Sequence, residues 1–247
     1  MNELCSMQSS PIQTVCKISV MEAFYSLQGE GFHQGCAAYF IRLGGCDVGC
    51  TWCDVKESWD ASLHRTFEAE ELVQMAILGE TVFPKDSATP LPDRAQNGLS
   101  YIRQTAKRKD ALGSKRIAVI TGGEPLLQDC TELTRGLRNA GFSTHLETSG
   151  AHPITGEWDW VCLSPKKFKY PLPDILPEAD ELKVVVFNKT DFAWAEKFAS
   201  RVSPACKLYL QPEWGKSSEV TPLIIEYIKA NPQWEFSLQL HKYIHVP

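Results

Sequence analysis

The sequence predicts an α/β fold built on a parallel sheet, and two observations carry that prediction. Short runs rich in β-branched and aromatic residues alternate with longer segments of helical period, which is the pattern of βαβ units. The chemistry-bearing polar residues fall where the short runs end, and in parallel α/β barrels those ends form the active face. The 247 residues are 43% hydrophobic, enough for one large domain at a length common among α/β barrels. We therefore read 1–247 as a single domain, with a flexible lead-in at 1–16.

In chain order, strands are expected at residues 15–23, 37–43, 116–121, 143–148, 158–163, 181–187, 207–211 and 235–240. Each is a run of four to eight or so β-branched or aromatic residues of the length strands favour. Helices are expected at 68–78, 126–139, 190–201 and 220–230. In the second of these, Leu126, Cys130, Leu133 and Leu137 recur at helical spacing and share one face. Residues 81–98, with three prolines among mixed polar residues, read as an irregular insertion. The sequence has no internal repeat.

A net charge of −5 and a pI near 5.7 give no general attraction to nucleic acid or anionic membrane. No apolar run approaches the roughly 18 residues of a membrane span. Residues 1–16 are polar and lack the basic-then-apolar layout of a secretory signal. With unpaired cysteines as well, the expected location is the reducing cytoplasm.

The densest signal is Cys46-Asp-Val-Gly-Cys50-Thr-Trp-Cys53, three cysteines within eight residues. Three thiolates on one loop can hold an iron–sulfur cube and leave one iron open, because a cube takes four ligands. Structural zinc normally has four protein ligands in closely spaced pairs, and no second C-x2-C or H-x3-H pair follows. Nine cysteines cannot all pair internally, and disulfide frameworks suit shorter secreted chains. The open cluster is favoured on these grounds, with a zinc or non-catalytic iron–sulfur module as the competing reading.

C-x3-C-x2-C with Trp52 before the last cysteine, followed by Gly122-Gly-Glu-Pro125, resembles the radical S-adenosylmethionine enzymes. Further motifs narrow the likeness: Leu27-Gln-Gly-Glu-Gly31, Phe40-Ile-Arg-Leu43, Glu147-Thr-Ser-Gly150, Ser164-Pro-Lys166 and Gln239-Leu-His241-Lys242. Together they resemble the 7-carboxy-7-deazaguanine synthase family from about residue 20 to the end. The resemblance implies an abbreviated TIM-like β/α barrel, a homodimer, and an electron donor such as flavodoxin or ferredoxin. It also implies conversion of 6-carboxy-5,6,7,8-tetrahydropterin into 7-carboxy-7-deazaguanine by radical ring contraction with loss of ammonia, a step toward queuosine and related deazapurines. S-adenosylmethionine would be regenerated, and no nucleic acid or membrane would be touched.

The roles of residues follow from the same resemblance. Cys46, Cys50 and Cys53 would bind a [4Fe–4S] cluster whose open iron chelates S-adenosylmethionine and generates the radical. Trp52, Cys53, Asp54, Gly123, Glu124, Ser164, Pro165, Lys166 and Gln211 would surround that cofactor, with Glu124 accepting from its amine. Leu27, Gln28, Gly29, Glu30 and Thr121 would read the pterin ring, and Arg42 would fork onto the substrate carboxylate. His241 and the carboxylate of Pro247 would close the pocket. One position departs from the pattern. Many members have Asp-Thr after the third cysteine, and the threonine helps to bind Mg2+. Here the pair is Asp54-Val55, and valine offers none of the oxygen that Mg2+ requires. Either substrate and water hold the ion, or the dependence on it is weak.

A second enzyme class, the activases that cut a glycyl radical into a partner protein, shares the cysteine spacing. It is not expected to carry Leu27–Gly31 or the ending from His241 to Pro247. Lys167 and Lys169 are read as solvated surface. His33, His64, His145, His152 and His245 are read as structural or exposed, and the tryptophans at 59, 158, 160, 194, 214 and 234 as core or interface packing.

Overall fold

The computed structural model describes residues 17–83 and 116–247. The lead-in at 1–16, and the expected insertion from residue 84 onward, lie outside the described residues. At the start of that insertion Val82 is buried and forms an antiparallel bridge with Ala23.

Nine strands form one open sheet: β1 (Lys17–Leu27), β2 (Ala37–Leu43), β3 (Arg65–Glu68), β4 (Arg116–Gly122), β5 (Phe142–Thr148), β6 (Trp160–Leu163), β7 (Glu181–Val186), β8 (Lys207–Pro212) and β9 (Trp234–Phe236). Their order is β3-β1-β2-β4-β5-β6-β7-β8-β9. Strands from β2 across to β9 run parallel, while β1 is antiparallel to both β2 and β3. The helices are α1 (Ala69–Leu78), α2 (Thr131–Asn139), α3 (Thr190–Ala199), α4 (Ser217–Ala230) and α5 (Leu240–Ile244). No helix among the described residues is long and apolar enough to cross a membrane.

Strand alternation sorts side chains between two faces. One face presents Ile41, Leu43, Ala118, Ile120, Leu146, Leu163, Leu182, Val184 and Leu210, all buried. Against it lie Leu72, Val73, Leu133 and Leu137 from α1 and α2, and Trp194, Phe198, Val220 and Ile224 from α3 and α4. The opposite face carries Phe40, Arg42, Thr121, Glu147, Cys162, Lys183 and Gln211, which line a cavity.

Local chemistry sets the helix ends. At α1 a capping box joins Glu68 and Glu71, and Gly79 closes the helix at φ 68°, a left-handed conformation glycine adopts freely. At α2 Asp129 accepts the Thr131 N–H at 2.9 Å. That acceptor explains why the helix begins at Thr131 and not at 126: Pro125–Leu127 forms a separate 3-10 turn. The structure corrects other expectations too. β3 was not expected, and β1 runs antiparallel and on to Leu27. The strand expected at 235–240 ends at Phe236, so His241 sits on α5 and does not finish a strand.

Leu146, with no exposed surface, joins the packing of α3 and α4 onto the sheet. Leu146→Ala is expected to lower stability by about 2–5 kcal/mol through lost burial and an unfilled cavity. Thermal and denaturant unfolding would measure it, and a loss below about 1 kcal/mol would contradict the packing described.

Candidate active site

The polar face of the sheet opens into a cavity of about 260 Å3 at the C-terminal strand ends. Every residue singled out from sequence lines it except Pro165, whose carbonyl instead accepts the Trp194 indole N–H at 3.3 Å. Trp59 and Trp214, read from sequence as packing residues, also line it. His33, His64, His145, His152 and His245 are not among the lining residues.

At one end lie the three cysteines, all free thiols. The loop after β2 is pinned by Gly45 N–H to Ser58 and Cys46 N–H to Trp59 carbonyls, and Glu124 N–H returns to the Gly45 carbonyl at 2.8 Å. Gly123 presses so closely on Gly45 that a Cβ there would collide with the Gly45 carbonyl and meet the Cys46 side chain. The Val55 N–H points at Cys53 Sγ at 3.4 Å. Burial raises the Cys46 pKa and pushes Cys50 up to about 11, with Lys166 opposing the latter rise. Metal binding must therefore displace protons from these thiols. Among the described residues no three His, Cys, Asp or Glu side chains are grouped for a single ion. Thiolates on one tetrahedral zinc stand only about 3.8 Å apart, given Zn–S bonds of about 2.3 Å. Three free thiols facing one cavity from a single short loop are the donor set that would hold three irons of a cube and leave the fourth open.

Beside them Lys166 donates to Ser164 Oγ at 2.5 Å, and its ammonium stands 5.3 Å from the Trp52 ring centre. Burial lowers the Lys166 pKa. Gln211 accepts from Ser237 Oγ at 2.8 Å. Asp54 is tied to Lys242 on α5 at 2.7 Å, and the Val55 side chain lines the cavity without an oxygen to offer.

Glu124 is buried and fully engaged. Its Oε1 accepts from Thr148 Oγ1 at 2.5 Å and the Leu126 N–H at 3.2 Å. Its Oε2 accepts from the Ser149 N–H at 2.9 Å and Ser149 Oγ at 2.5 Å. A carboxylate offers about four acceptor positions, and four protein donors occupy them. The residue locks the loop after β4 to the loop after β5.

The other end is built from β1, β5, β7 and the C-terminal segment. Lys183 pairs with Glu30 at 2.5 Å and stands 3.8 Å from Glu147. Glu30 also accepts from Gln239 at 3.0 Å, and Glu147 from Gln28 at 2.9 Å and Thr121 at 3.3 Å. Burial favours a protonated Glu30, but the Lys183 ammonium and the Gln239 amide prevail and bring its pKa down to about 2. α5 closes this end: the Leu240 N–H donates to the Gly29 carbonyl, and His241 packs so tightly on Gly29 that a Cβ there would strike the imidazole. Burial lowers the His241 pKa against the pull of Glu30. The Pro247 carbonyl accepts from Ser26 Oγ at 3.0 Å. Arg42 faces the cavity but is paired with Glu22 at 2.7 Å, over the Phe24 ring.

Sequence reasoning missed Lys183 as a site residue. The signal was present: one lysine inside the apolar run Leu182–Val186, on the face that strand alternation turns away from the helices.

A three-thiol loop beside a cavity at the rim of an open α/β sheet is an arrangement a radical S-adenosylmethionine enzyme requires. Its relatives place the chain in that class, with the [4Fe–4S] cluster and S-adenosylmethionine it implies. The chain is similar to 7-carboxy-7-deazaguanine synthase of Flavobacterium psychrophilum, 45% identical over 230 residues that cover 93% of each chain. It is similar also to that of Synechocystis sp., 42% identical over 242 residues, 97% of this chain and 100% of the relative. A crystal structure of QueE from Escherichia coli matches with a TM-score of 0.67 at 30% identity, covering 91% of this chain and 95% of that one. No family model matches. The chain belongs to the 7-carboxy-7-deazaguanine synthase family.

Glu124→Ala is expected to leave buried donors of Thr148, Ser149 and Leu126 unpaired, at about 1–3 kcal/mol for each group that water cannot reach. Glu124→Gln, which keeps one acceptor oxygen, is expected to lose less. Thermal unfolding of both variants measures the difference, and equal stabilities would refute the bonding described.

Proposed function

We propose that this chain converts 6-carboxy-5,6,7,8-tetrahydropterin into 7-carboxy-7-deazaguanine, and that its sheet is the wall of an abbreviated barrel with helices outside and substrates inside. One observation carries the reading: motifs spread from Leu27 to His241 all line a single cavity, with free thiols at one end and paired carboxylates at the other. Cys46, Cys50 and Cys53 would hold the cluster. The cluster and S-adenosylmethionine, when bound, supply a hydrogen-abstracting radical.

The chain's own residues bind, orient and exclude water. Trp52, Asp54, Gly123, Ser164, Lys166 and Gln211 form the walls for S-adenosylmethionine. Pro165, turned away, contributes through the backbone conformation of the Ser164–Lys166 loop. Glu124 would accept the cofactor's amine only by releasing one of its four donors, so its part is to hold the loops that form the wall. Leu27, Gln28, Gly29, Glu30 and Thr121 read the pterin, and α5 covers it with His241 and Pro247. Arg42 meets the substrate carboxylate by exchanging Glu22 for it, since a guanidinium forks onto either.

Any Mg2+ at the substrate would rest on substrate and water oxygens, because Val55 supplies none and Asp54 is held by Lys242. The flavodoxin or ferredoxin donor, the homodimer and the cytoplasmic setting rest on the family reading. A glycyl-radical activase needs an entry for a protein segment, and the fit of α5 on Gly29 argues against it. Three thiols without a fourth His, Cys, Asp or Glu grouped beside them among the described residues argue against a structural zinc module, which takes four protein ligands.

The test is anaerobic turnover of reconstituted protein with S-adenosylmethionine, a reductant and 6-carboxytetrahydropterin, with and without Mg2+. The deazaguanine acid is expected, with little gain from Mg2+. Formation of 5′-deoxyadenosine without that product would sink the substrate assignment. Cys50→Ala is expected to lose most of its iron and sulfide, about four of each per chain in the parent protein, and to lose turnover with them.

A further inference from the structure

We propose that Lys183 is the positioning residue of the substrate end, holding Glu30 and Glu147 side by side as acceptors for the N–H and amino edge of a 2-amino-4-oxopyrimidine. The inference deepens the pterin reading above and rests on it.

Three observations support it. Lys183 lies in mid-strand with its side chain 5% exposed, its ammonium on Glu30 and 3.8 Å from Glu147. A buried ion pair is weak evidence for stability, since apolar residues of similar volume often serve as well. Its presence here therefore calls for a role other than holding the sheet. The two carboxylates also differ from Glu124. All four acceptor positions of Glu124 are filled within the protein, whereas Glu30 accepts from Lys183 and Gln239 and Glu147 from Gln28 and Thr121. Each has acceptor capacity to spare, and both line the cavity. Lastly, the elements around Lys183 bring mostly acidic groups to it: Glu30 after β1, Glu147 on β5, Cys162 on β6 and Glu181 on β7. His241 on α5 faces Glu30, as does Lys166 beyond it. Remove the one ammonium between them and neighbouring carboxylates disfavour each other's charge. A protonated Glu30 would then turn an O–H toward the N–H edge it is meant to receive.

The sign follows. With its pKa brought down to about 2, Glu30 is ionised throughout the usual assay range, so it adds no acidic limb to kcat/KM. Without Lys183, Glu30 takes up a proton at higher pH and an acidic limb enters that range.

The experiment compares wild-type holoenzyme with Lys183→Met, Lys183→Gln and Lys183→Arg, reading kcat and KM for 6-carboxytetrahydropterin against pH. Met and Gln are expected to raise KM roughly tenfold to a hundredfold near neutrality, with a smaller change in kcat. KM should recover toward the wild-type value as pH rises, and Arg should keep the wild-type profile. Iron and sulfide content and substrate-free 5′-deoxyadenosine formation check that the cluster end is intact. An unchanged pH profile in Met or Gln would overturn the proposal, as would failure of both to fold, which would make Lys183 a folding residue. If the wild-type protein forms 5′-deoxyadenosine but never the deazaguanine acid, the substrate reading fails instead.

Discussion

A parallel sheet normally has both faces covered, and among the described residues the long helices cover only one. Everything in the site follows from that imbalance. Alternation along β2, β4, β5, β7 and β8 sends leucine, isoleucine and valine to α1–α4. It sends Arg42, Thr121, Glu147, Lys183 and Gln211 the other way. A face of charged and amide side chains cannot be closed with a helix of Leu and Val, because each buried polar group must find a partner. The chain meets this demand by pairing those groups with one another and with the loops at the strand ends. What remains between them is the cavity.

The register turns separate motifs into one wall. Arg42 stands opposite Thr121, Glu147 opposite Cys162 and Cys162 opposite Glu181. These neighbours present polar side chains at one level, while Lys183 and Gln211 stand at other levels, opposite Tyr209 and Val185. The loops beyond are then fixed by hydrogen bonds of long sequence range, of which Glu124 to Thr148 and Ser149 are the tightest. Such a wall is built by the fold before any cofactor arrives, which is what a site that must orient a radical requires.

Much of this was legible in the sequence, and the reasons differ by element. The parallel strands β2 and β4 to β8 were recognisable because each reads as a run rich in apolar and β-branched residues. Their parallel direction followed from the helical segments between them, whereas β1 runs antiparallel to β2 and the short β3 offered no run to recognise. The 235–240 run misled because Leu238 and Leu240 look like strand residues, whereas the chain turns at Ser237, bonded to Gln211, and enters α5. The motif residues were found by their type and position, yet position could not reveal occupancy. Glu124 and Glu30 look alike in sequence, and only the donors around them separate a brace from an open acceptor. Lys183 was passed over because a lysine in a strand is ordinarily solvated at an edge.

Two lysines lining the cavity, Lys183 buried and Lys166 half-buried, give it its electrostatic order. Lys166, beside Trp52 and Ser164, lies near the thiols and opposes the burial that keeps Cys50 protonated. Lys183, its own pKa raised well above the ordinary value by the acids around it after they overcome burial, belongs to the carboxylates. Lys183 pairs directly with Glu30 and stands near Glu147, whereas Lys166 bonds to the neutral Ser164 hydroxyl. Lys183 also repels Lys166, adding to the lowering that burial imposes on the Lys166 ammonium. A ligand bringing a carboxylate to the gap between them would be drawn in, and a cationic one would be steered to the acids. An amino-acid sulfonium carries both kinds of charge, and an aminopyrimidine acid carries a carboxylate with a neutral N–H edge that the acids can still accept from, so the same groups can orient both partners toward each other.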